Sequence, residues 1–204
     1  MREPCDGKLS RTVLRGAWRG DTPSLLSVNN YSQFSYDGVD RRVKILEIVS
    51  GSTVSTKQFV WEKKKETPSE ARDASSLITA QYFKNGQTVN GTANKYCYTR
   101  DHLGSVRELT DGSGNIQAQY SYGAFGQNIK LQGNSDSDFR YAGYYLHSPS
   151  GLNLTVYREY TSGLGRWLSR EPLEQVEQDG GNIYAYADND PLTWVDPSGF
   201  TGTK

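Results

Sequence analysis

Two carboxylates, each followed directly by proline, are the residues of this 204-residue chain best suited to act together in acid–base chemistry. They are Glu171, before Pro172, and Asp196, before Pro197. Two carboxyl groups that share one site split their pKa values, so that one can activate water while the other donates a proton to a leaving group. Sequence spacing does not itself bring the two side chains together. The plainer interpretation is that each carboxylate caps a turn, since Asp-Pro and Glu-Pro are ordinary turn openings.

Histidine and nucleophile chemistry has weaker support in the sequence. His102 and His147 are the two histidines, and neither has further ligands at a fitting spacing. Asp101, His102 and Ser105 include the residue types of a nucleophilic triad, but no Gly-x-Ser-x-Gly elbow accompanies them. No glycine loop has the strand-to-helix context that phosphate binding requires. The sequence therefore predicts no metal and no cofactor.

The composition is rich in tyrosine and glycine and favours an all-β fold. The chain has 14 Tyr and 21 Gly, against 6 Phe and 4 Trp. Tyrosine suits half-buried strands, because the ring packs while the hydroxyl stays in water. Glycine after Asp or Asn supplies the positive φ of short hairpin turns. Such pairs occur at Asp37-Gly38, Asn85-Gly86, Asn90-Gly91 and Asp111-Gly112.

Charge, the N-terminal sequence and the cysteine count bear on nucleic-acid binding, on secretion or membrane insertion, and on disulfide formation. Basic and acidic residues balance at 23 each, so we expect no nucleic-acid partner. Met1 to Leu14 lacks the apolar stretch of a signal peptide, and no segment of the sequence predicts a membrane span. Cys5 and Cys97 are too few for a disulfide framework, and either one bridge or two unrelated thiols would fit.

Comparison of the sequence with itself reveals two repeated patterns, which are typical of stacked strand units. Phe34-Ser-Tyr with Val43-Lys-Ile recurs as Tyr120-Ser-Tyr with Ile129-Lys-Leu. The polar turn and alternating strand that begin at Asp73 recur from Asp111. We therefore predict β-hairpins, including one over Ser69 to Tyr82. After them we expect a long loop from Gly126 to Asp138 and short strands at Arg140 to Tyr145, Leu152 to Tyr160 and Asn182 to Ala187.

Several motifs in a single order resemble the Rhs/YD-repeat family. Phe34-Ser-Tyr-Asp-Gly-Val-Asp-Arg-Arg-Val resembles a YD repeat, and Tyr98-Thr-Arg-Asp-His-Leu-Gly-Ser-Val-Arg resembles the opening of the Rhs repeat-associated core. Further motifs follow in the family's order: Tyr141-Ala-Gly-Tyr-Tyr, Ser150-Gly-Leu, Leu164-Gly-Arg-Trp-Leu-Ser-Arg, Asn182-Ile-Tyr-Ala-Tyr and Asp196-Pro-Ser-Gly-Phe. The resemblance covers about Tyr31 to Phe200.

The resemblance implies a spiral of β-hairpins that forms a hollow shell, as in bacterial polymorphic toxins, Tc-toxin cocoon components and teneurins. A turn-rich β core plugs one end of such a shell. On this basis the chain divides into an unassigned lead-in at 1–30, YD-repeat-like hairpins at 31–95, the repeat-associated core at 96–200 and a residual tail at 201–204. The implied partner is the remainder of a shell or a neighbouring Rhs chain. Full-length relatives of this kind are often secreted or displayed on the cell surface, and the sequence leaves the localisation of this chain open.

The resemblance also implies an aspartyl autoprotease site. In the family the core can cut just after an Asp-Pro-x-Gly-Leu motif and so free a variable C-terminal toxin. Carried onto this sequence, the catalytic pair is Glu171 and Asp196, with Arg170 as a supporting residue. The cut bond joins Phe200 to Thr201.

The sequence departs from the family pattern at three places. Glu171 stands where the family has aspartate, and the usual Tyr-Asp-Pro-Phe-Gly becomes Tyr122-Gly-Ala-Phe-Gly. Only Thr201 to Lys204 follow the implied cut. We expect weak or absent cleavage, because glutamate carries its carboxyl one methylene further out than aspartate.

Three functions follow as hypotheses. The first is a structural shell or plug segment of a toxin-encapsulating cocoon, without a toxin payload of its own. The second is an intramolecular aspartyl protease that cuts after Phe200. The third is a surface adhesion or glycan-binding module that uses exposed aromatic rings, although packing between hairpins is the more ordinary use of these rings.

Overall fold

The computed structural model describes residues 10–14 (as backbone), 29–63, 65–89, 94–170 and 182–200. Almost all regular structure in these ranges is β-strand, which confirms the all-β prediction. Two short 3₁₀ turns, Tyr141–Gly143 and Ala187–Asn189, accompany the strands. The strands are β1 (Ser10–Leu14), β2 (Tyr31–Tyr36), β3 (Arg42–Val49), β4 (Ser52–Val60), β5 (Glu70–Arg72), β6 (Ile78–Phe83), β7 (Gly86–Val89), β8 (Asn94–Arg100), β9 (Val106–Thr110), β10 (Ile116–Tyr122), β11 (Asn128–Gln132), β12 (Tyr145–His147), β13 (Leu152–Leu154), β14 (Glu159–Thr161) and β15 (Arg166–Trp167).

The chain divides into two compact units, Met1–Gln81 and Tyr82–Lys204. In the first unit each strand from β1 to β6 pairs antiparallel with the next. Alternation along β2 buries Phe34, which lies opposite Ile45 of β3. Phe59 of β4 lies opposite the buried Ala71. These neighbouring apolar side chains form the buried face of the sheet.

Four hairpin turns share one geometry that begins with an aspartate. In each turn the aspartate Oδ1 accepts the backbone N–H groups of the residues two and four positions later, at 2.8–3.1 Å. The fourth residue of each turn has a positive φ, as expected of a turn closed by a bulge. The four turns begin at Asp37, Asp73, Asp101 and Asp111. The repeats seen in the sequence are therefore one structural unit, and the predicted hairpin over Ser69 to Tyr82 is confirmed by the pairing of β5 with β6.

A fifth copy of this turn has glycine, Gly123, at the position where the other four have aspartate. Gly123 and Gln127 make the same backbone hydrogen bond, N–H of Gly123 to the carbonyl of Gln127 at 2.9 Å. The Gln127 side chain occupies the space of the missing carboxylate, since a Cβ on Gly123 would lie 2.4 Å from Gln127 Oε1. Gln127 Nε2 donates to the carbonyl of Ser162 at 2.9 Å. This hydrogen bond connects the turn to the loop after β14, whereas each of the other four turns is capped by its own aspartate.

In the second unit each strand from β7 to β11 pairs antiparallel with the next. Strands β12 to β15 form a second, small antiparallel sheet. Val106, Leu109, Ala118 and Tyr120 are buried together on the β9–β10 part of the sheet. A separate aromatic core lies beneath the small sheet. The described residues of the second unit therefore include these two separate apolar clusters.

Four secondary-structure predictions for the second unit were wrong. Leu152 to Tyr160 is not one strand, because residues 155–158 form a turn between β13 and β14. The segment from Gly126 to Asp138 is not one long loop, because β11 pairs with β10 within it. Its Gly, Asn, Ser and Asp content is typical of a loop, but five of its residues form a strand whose side chains are all exposed. Arg140 to Tyr145 contains a 3₁₀ turn with a positive φ at Ala142. Asn182 to Ala187 makes one isolated bridge, from Ala185 to Arg166, instead of a strand.

The residues after β11 form a strap, Ser135 to Arg140, that is held by polar contacts within the second unit. Gln87 Nε2 donates to the carbonyl of Asp136 at 3.1 Å, and the N–H of Ser137 donates to the Tyr120 hydroxyl at 2.9 Å. The Tyr82 hydroxyl donates to Asp138 Oδ2 at 2.5 Å. Buried tyrosine hydroxyls thereby gain partners that the strands themselves do not supply.

Alanine at Gly126 is expected to destabilise the second unit far more than alanine at Gly114. Both glycines occupy the fourth position of the shared turn, with φ of 81° and 83°. A Cβ at Gly114 meets nothing within 4 Å, whereas at Gly126 it would lie 2.4 Å from Cδ1 of the buried Tyr141 ring. Gly114→Ala should therefore cost about 1–2 kcal/mol for the left-handed backbone alone. Gly126→Ala should cost about 1–3 kcal/mol more for overpacking.

Chemical denaturation of both variants measures this difference directly. The Gly114→Ala variant is the matched control, because it imposes the same backbone strain without the ring contact. Equal losses of unfolding free energy in the two variants would contradict the packing argument.

Candidate functional site

Five buried aromatic side chains form the centre of the second unit. They are Tyr141, Tyr144, Tyr160, Trp167 and Tyr186. The ring centroids of Tyr160 and Tyr186 lie 4.4 Å apart, and those of Tyr160 and Trp167 lie 5.5 Å apart in an edge-on arrangement. Burial raises the pKa of the Tyr144 and Tyr186 hydroxyls well above the ordinary value. These tyrosines serve core packing and are not an exposed binding surface.

The hydroxyls of this aromatic core reach backbone carbonyls of neighbouring segments. The Tyr160 hydroxyl donates to the carbonyl of Phe125 at 2.8 Å, which secures the turn that lacks an aspartate. The Tyr144 hydroxyl donates to the carbonyl of Asp196 at 2.6 Å. The core thus fixes the backbone at one of the residues predicted to be catalytic.

The Asp196 carboxylate is buried and accepts three hydrogen bonds. Its Oδ1 accepts the N–H groups of Gly199 at 2.8 Å and Phe200 at 3.0 Å, and its Oδ2 accepts Arg158 Nη2 at 2.8 Å. Asp196 is 2% exposed and Arg158 is 4% exposed, so the pair is shielded from water. A buried charge is tolerated when it is paired and hydrogen-bonded in this way.

Arg158, just before β14, connects the C-terminal segment to the aromatic core. Its Nε donates to the carbonyl of Gly199 at 2.6 Å, and its guanidinium carbon lies 4.3 Å from the centre of the Trp167 ring. The Thr155 hydroxyl donates to the Arg158 carbonyl at 2.8 Å, which holds the backbone of this residue. One side chain therefore binds Asp196, the Gly199 carbonyl and an aromatic face.

Close packing allows only glycine at position 199. Gly199 has a φ of 75°, and a Cβ there would lie 2.3 Å from Thr155 Oγ1. The N–H of Tyr157 donates to the carbonyl of Ser198 at 3.1 Å, and the rings of Tyr157 and Phe200 lie 5.6 Å apart. The segment from Asp196 to Phe200 therefore runs directly against residues 155–158.

The structure describes only part of the predicted catalytic set. Asp196 lies at the centre of the buried network, Phe200 is half-buried, and Arg170 is exposed. Glu171 and Thr201 lie outside the described residues, so the pairing of Glu171 with Asp196 stays a prediction. The contacts of Asp196 are those of a turn cap and an ion pair, the plainer of the two interpretations of this residue.

Sequence reasoning missed Arg158. The residue lies between Tyr157 and Glu159, inside the segment from Leu152 to Tyr160 that was predicted as one strand. No motif distinguishes it from the exposed Arg166 of β15. The only signal is a charged residue at a position where strand alternation places the side chain inward.

The remaining candidates have structural roles among the described residues. Asp101 Oδ1 is occupied by the N–H groups of Leu103 and Ser105, so it orients no histidine through that oxygen. His147 is buried, with Nδ1 2.6 Å from Ser150 Oγ. In the parts of the chain that the structure describes, no group of three or more His, Cys, Asp or Glu could hold a metal. Cys97 is exposed on β8 and Cys5 lies outside the described residues, so their pairing stays open.

Among the described residues, no helix has the length and apolar character needed to cross a membrane.

Known proteins share sequence with this chain, although no family model matches it. The tRNA3(Ser)-specific nuclease WapA of Bacillus spizizenii is 35% identical over 136 residues, which are 62% of this chain and 6% of that protein. Double-stranded DNA deaminase toxin A of Burkholderia cenocepacia is 26% identical over 203 residues, 84% of this chain and 14% of that protein. Toxin subunit YenC1 of Yersinia entomophaga is 28% identical over 128 residues, 60% of this chain and 13% of that protein.

Solved structures share the fold. The crystal structure of TcdB2-TccC3 matches with a TM-score of 0.66 and 18% identity, covering 96% of this chain and 10% of that one. The same complex without its hypervariable C-terminal region also matches with a TM-score of 0.66, at 19% identity over 93% of this chain and 10% of that one. The sequence of this chain is thus similar to those of Rhs-associated toxins, and its fold to that of the Tc-toxin shell. These similarities confirm the Rhs/YD-repeat resemblance that the sequence motifs predicted. The chain spans only 6% to 14% of the length of the relatives named above.

Proposed function

We propose that this Rhs/YD-repeat chain is a wall-and-plug segment of a β shell that encloses a cargo, and that it works by enclosing and docking. The observation that carries the proposal is a series of antiparallel hairpins with one repeated turn, followed by a segment folded around a buried aromatic core. Repeated hairpins can extend a sheet by adding strands indefinitely. The segment that follows the hairpins packs around the aromatic core instead of adding further strands to that sheet. The activities in the names of the relatives are not assigned to this chain, because it matches a small share of each.

The proposed partner is the remainder of a shell or a neighbouring Rhs chain. All five residues of β11 are exposed, including the aliphatic side chains of Ile129 at 60% and Leu131 at 57%. Among the described strands, β11 pairs only with β10, so its second edge is open. An open edge with apolar side chains is suited to pairing with a further strand.

A chimeric shell tests enclosure. The chain replaces the matching residues of a Tc-toxin shell polypeptide that carries a protease-sensitive cargo, and survival of the cargo under protease is measured. We expect a protected cargo, and we expect loss of protection when the plug is opened by Asp196→Ala. Digestion of the cargo inside a chimera whose circular dichroism is native would contradict the proposal.

A second candidate function, autoproteolysis after Phe200, is favoured by one contact. Asp196 Oδ1 accepts the N–H of Phe200, the residue whose carbonyl carbon would be attacked. In the proposed reaction water adds to that carbon, the bond to the Thr201 nitrogen breaks, and the new amine takes a proton, leaving a carboxylic acid at Phe200. Glu171 and Asp196 would supply the base and the acid.

We expect this cleavage to be slow in the unaltered chain and faster in Glu171→Asp. A displacement of about 1 Å in a catalytic group costs on the order of 100-fold in rate. Intact-mass measurement over prolonged incubation detects loss of Thr201 to Lys204, and Asp196→Asn serves as the inactive control. Complete cleavage of the unaltered chain that Asp196→Asn abolishes would show that glutamate serves as well as aspartate. An intact Glu171→Asp chain would remove the protease candidate.

A further inference from the structure

We infer that the turn at Gly123 makes the order of strand β11 depend on the aromatic core. The turn, and β11 after it, keep their structure only while Tyr141 and Tyr160 are packed in that core. For the partner strand that we propose to pair with β11, the edge is therefore available only after the core has closed. That last step rests on the proposed function, whereas the coupling itself rests on contacts within the second unit.

The turn at Gly123 has no side-chain acceptor of its own for the amides at its tip. In the preceding turn, Asp111 Oδ1 accepts the N–H groups of Ser113 at 2.9 Å and Asn115 at 3.0 Å. Glycine at position 123 cannot supply such an acceptor, because it has no side chain. The backbone bond from the N–H of Gly126 to the carbonyl of Gly123 remains, at 2.9 Å. The turn therefore needs more support from other segments than a turn with an aspartate does.

Two tyrosines of the aromatic core supply this support. The Tyr141 hydroxyl donates to the carbonyl of Ala124 at 3.1 Å, and the Tyr160 hydroxyl donates to the carbonyl of Phe125 at 2.8 Å. The two tyrosines are 2% and 0% exposed. Because both side chains are packed within the core, these two bonds form only when the core is closed.

The tip of the turn also packs against the core. Phe125 lies against the aromatic cluster, and a Cβ on Gly165 would lie 2.9 Å from Cδ1 of its ring. A Cβ on Gly126 would lie 2.4 Å from Cδ1 of Tyr141. This close approach requires glycine at both positions. Gln127 adds its hydrogen bond to the loop after β14. These contacts all come from the segment that folds around the aromatic core.

Strand β11 has little else to hold it. Its five side chains are exposed, and among the described strands it pairs only with β10. Gln132 Nε2 donates to Gln119 Oε1 at 3.1 Å, and Lys130 Nζ donates to the Ser135 carbonyl and to Asp136 Oδ1 at 2.8 and 3.1 Å. These bonds are exposed and contribute little to stability. The position of β11 on β10 therefore depends on the turn that joins them.

The coupling between the core and β11 acts in both directions. Opening of the aromatic core removes the bonds to the turn and thereby frees β11 at the edge of the sheet. A strand that pairs with β11 must in turn stabilise the closed core by the same free energy. The turn thus allows partner pairing at the edge to depend on closure of the core.

Hydrogen exchange of the full chain tests the coupling. Tyr160→Phe keeps the ring and should speed exchange of the Gly126 amide and of the β11 amides about 10-fold, the factor expected for one lost buried hydrogen bond. The Gly114 amide occupies the same place in the Asp111 turn and should change less than about twofold, because that turn has its own cap. Tyr184→Phe, at an exposed position, is the matched control. Unchanged exchange of the β11 amides in folded Tyr160→Phe and Tyr141→Phe chains would overturn the inference.

A turn with a restored cap separates coupling from general destabilisation. Gly123→Asp introduces the aspartate of the other four turns, and the φ of Gly123 lies outside the left-handed region, so the backbone accepts it. Gln127→Ala makes room, since a Cβ on Gly123 would lie 2.4 Å from Gln127 Oε1. In this double variant Tyr160→Phe should change β11 exchange by less than about twofold. Gly123→Asp alone is the second variant, because the Gln127 side chain can move aside. A β11 that stays equally sensitive to Tyr160→Phe in the capped chains would overturn the inference.

The chimeric shell tests the consequence for the partner. Tyr160→Phe should speed digestion of the enclosed cargo about 10-fold, and adding Gly123→Asp with Gln127→Ala should restore protection. Digestion is compared at a temperature where near-UV circular dichroism shows the aromatic core folded in every variant. A chimera that never protects its cargo would count against enclosure, and the amide exchange would then decide the coupling alone. Equal protection with and without the Tyr160 hydroxyl would overturn the dependence of the partner on core closure.

Discussion

Raising the pH above about 10 is expected to unfold the second unit cooperatively. Burial raises the pKa of Tyr82, Tyr144 and Tyr186 well above 10, and for Tyr82 the neighbouring Asp138 carboxylate adds to the effect. These tyrosines ionise more readily in the unfolded chain, so their contribution to stability is complete below pH 10 and is lost as the pH rises towards their folded-state values. Each can remove up to about 1.4 kcal/mol per pH unit, or about 4 kcal/mol for the three together.

A pH titration followed by phenolate absorbance and near-UV circular dichroism measures this transition. The two signals should change together, because the buried hydroxyls ionise as the core opens. Tyr186→Phe removes one titrating group and should make the transition less steep, whereas Tyr184→Phe, at an exposed neighbouring position, is the control. Ionisation of all the tyrosines with an intact near-UV spectrum would refute the expectation.

Replacing Asp196 with alanine is expected to destabilise the second unit by about 3–5 kcal/mol. The substitution leaves the Arg158 guanidinium buried without its carboxylate and removes the acceptor of the Gly199 and Phe200 amides. Denaturant unfolding measures the loss. Asp190→Ala, at an exposed aspartate of the preceding loop, is the matched control and should change stability by less than about 0.5 kcal/mol.

A double variant tests whether the loss comes from the ion pair. Arg158→Met combined with Asp196→Ala should be less destabilised than the sum of the two single changes, because the double variant buries no lone charge. Strict additivity would mean that the two side chains contribute independently, contrary to the contact seen between them.

The sequence by itself determined the fold class, the hairpins and the family resemblance. Strand alternation and Asp-initiated turns are local patterns, because a hairpin turn is specified by the few residues within it. The turns at Asp73 and Asp111 are therefore recognisable as copies of one unit from their residues alone. The motifs from Phe34 to Phe200 carry the family resemblance for the same reason, since each lies within a short stretch.

Only the tertiary structure decided what the C-terminal segment contacts. The buried pair of Arg158 and Asp196 joins residues far apart in the chain, and whether a charge is buried depends on the packing around it. The strand β11 was missed because polar composition predicts a loop, yet pairing with β10 satisfies its backbone regardless of its exposed side chains. The turn at Gly123, which has no aspartate, is held by Gln127 of the same turn, through its bond to Ser162, and by Tyr160 from elsewhere in the fold. These two bonds are invisible in the sequence, because each joins residues far apart in the chain.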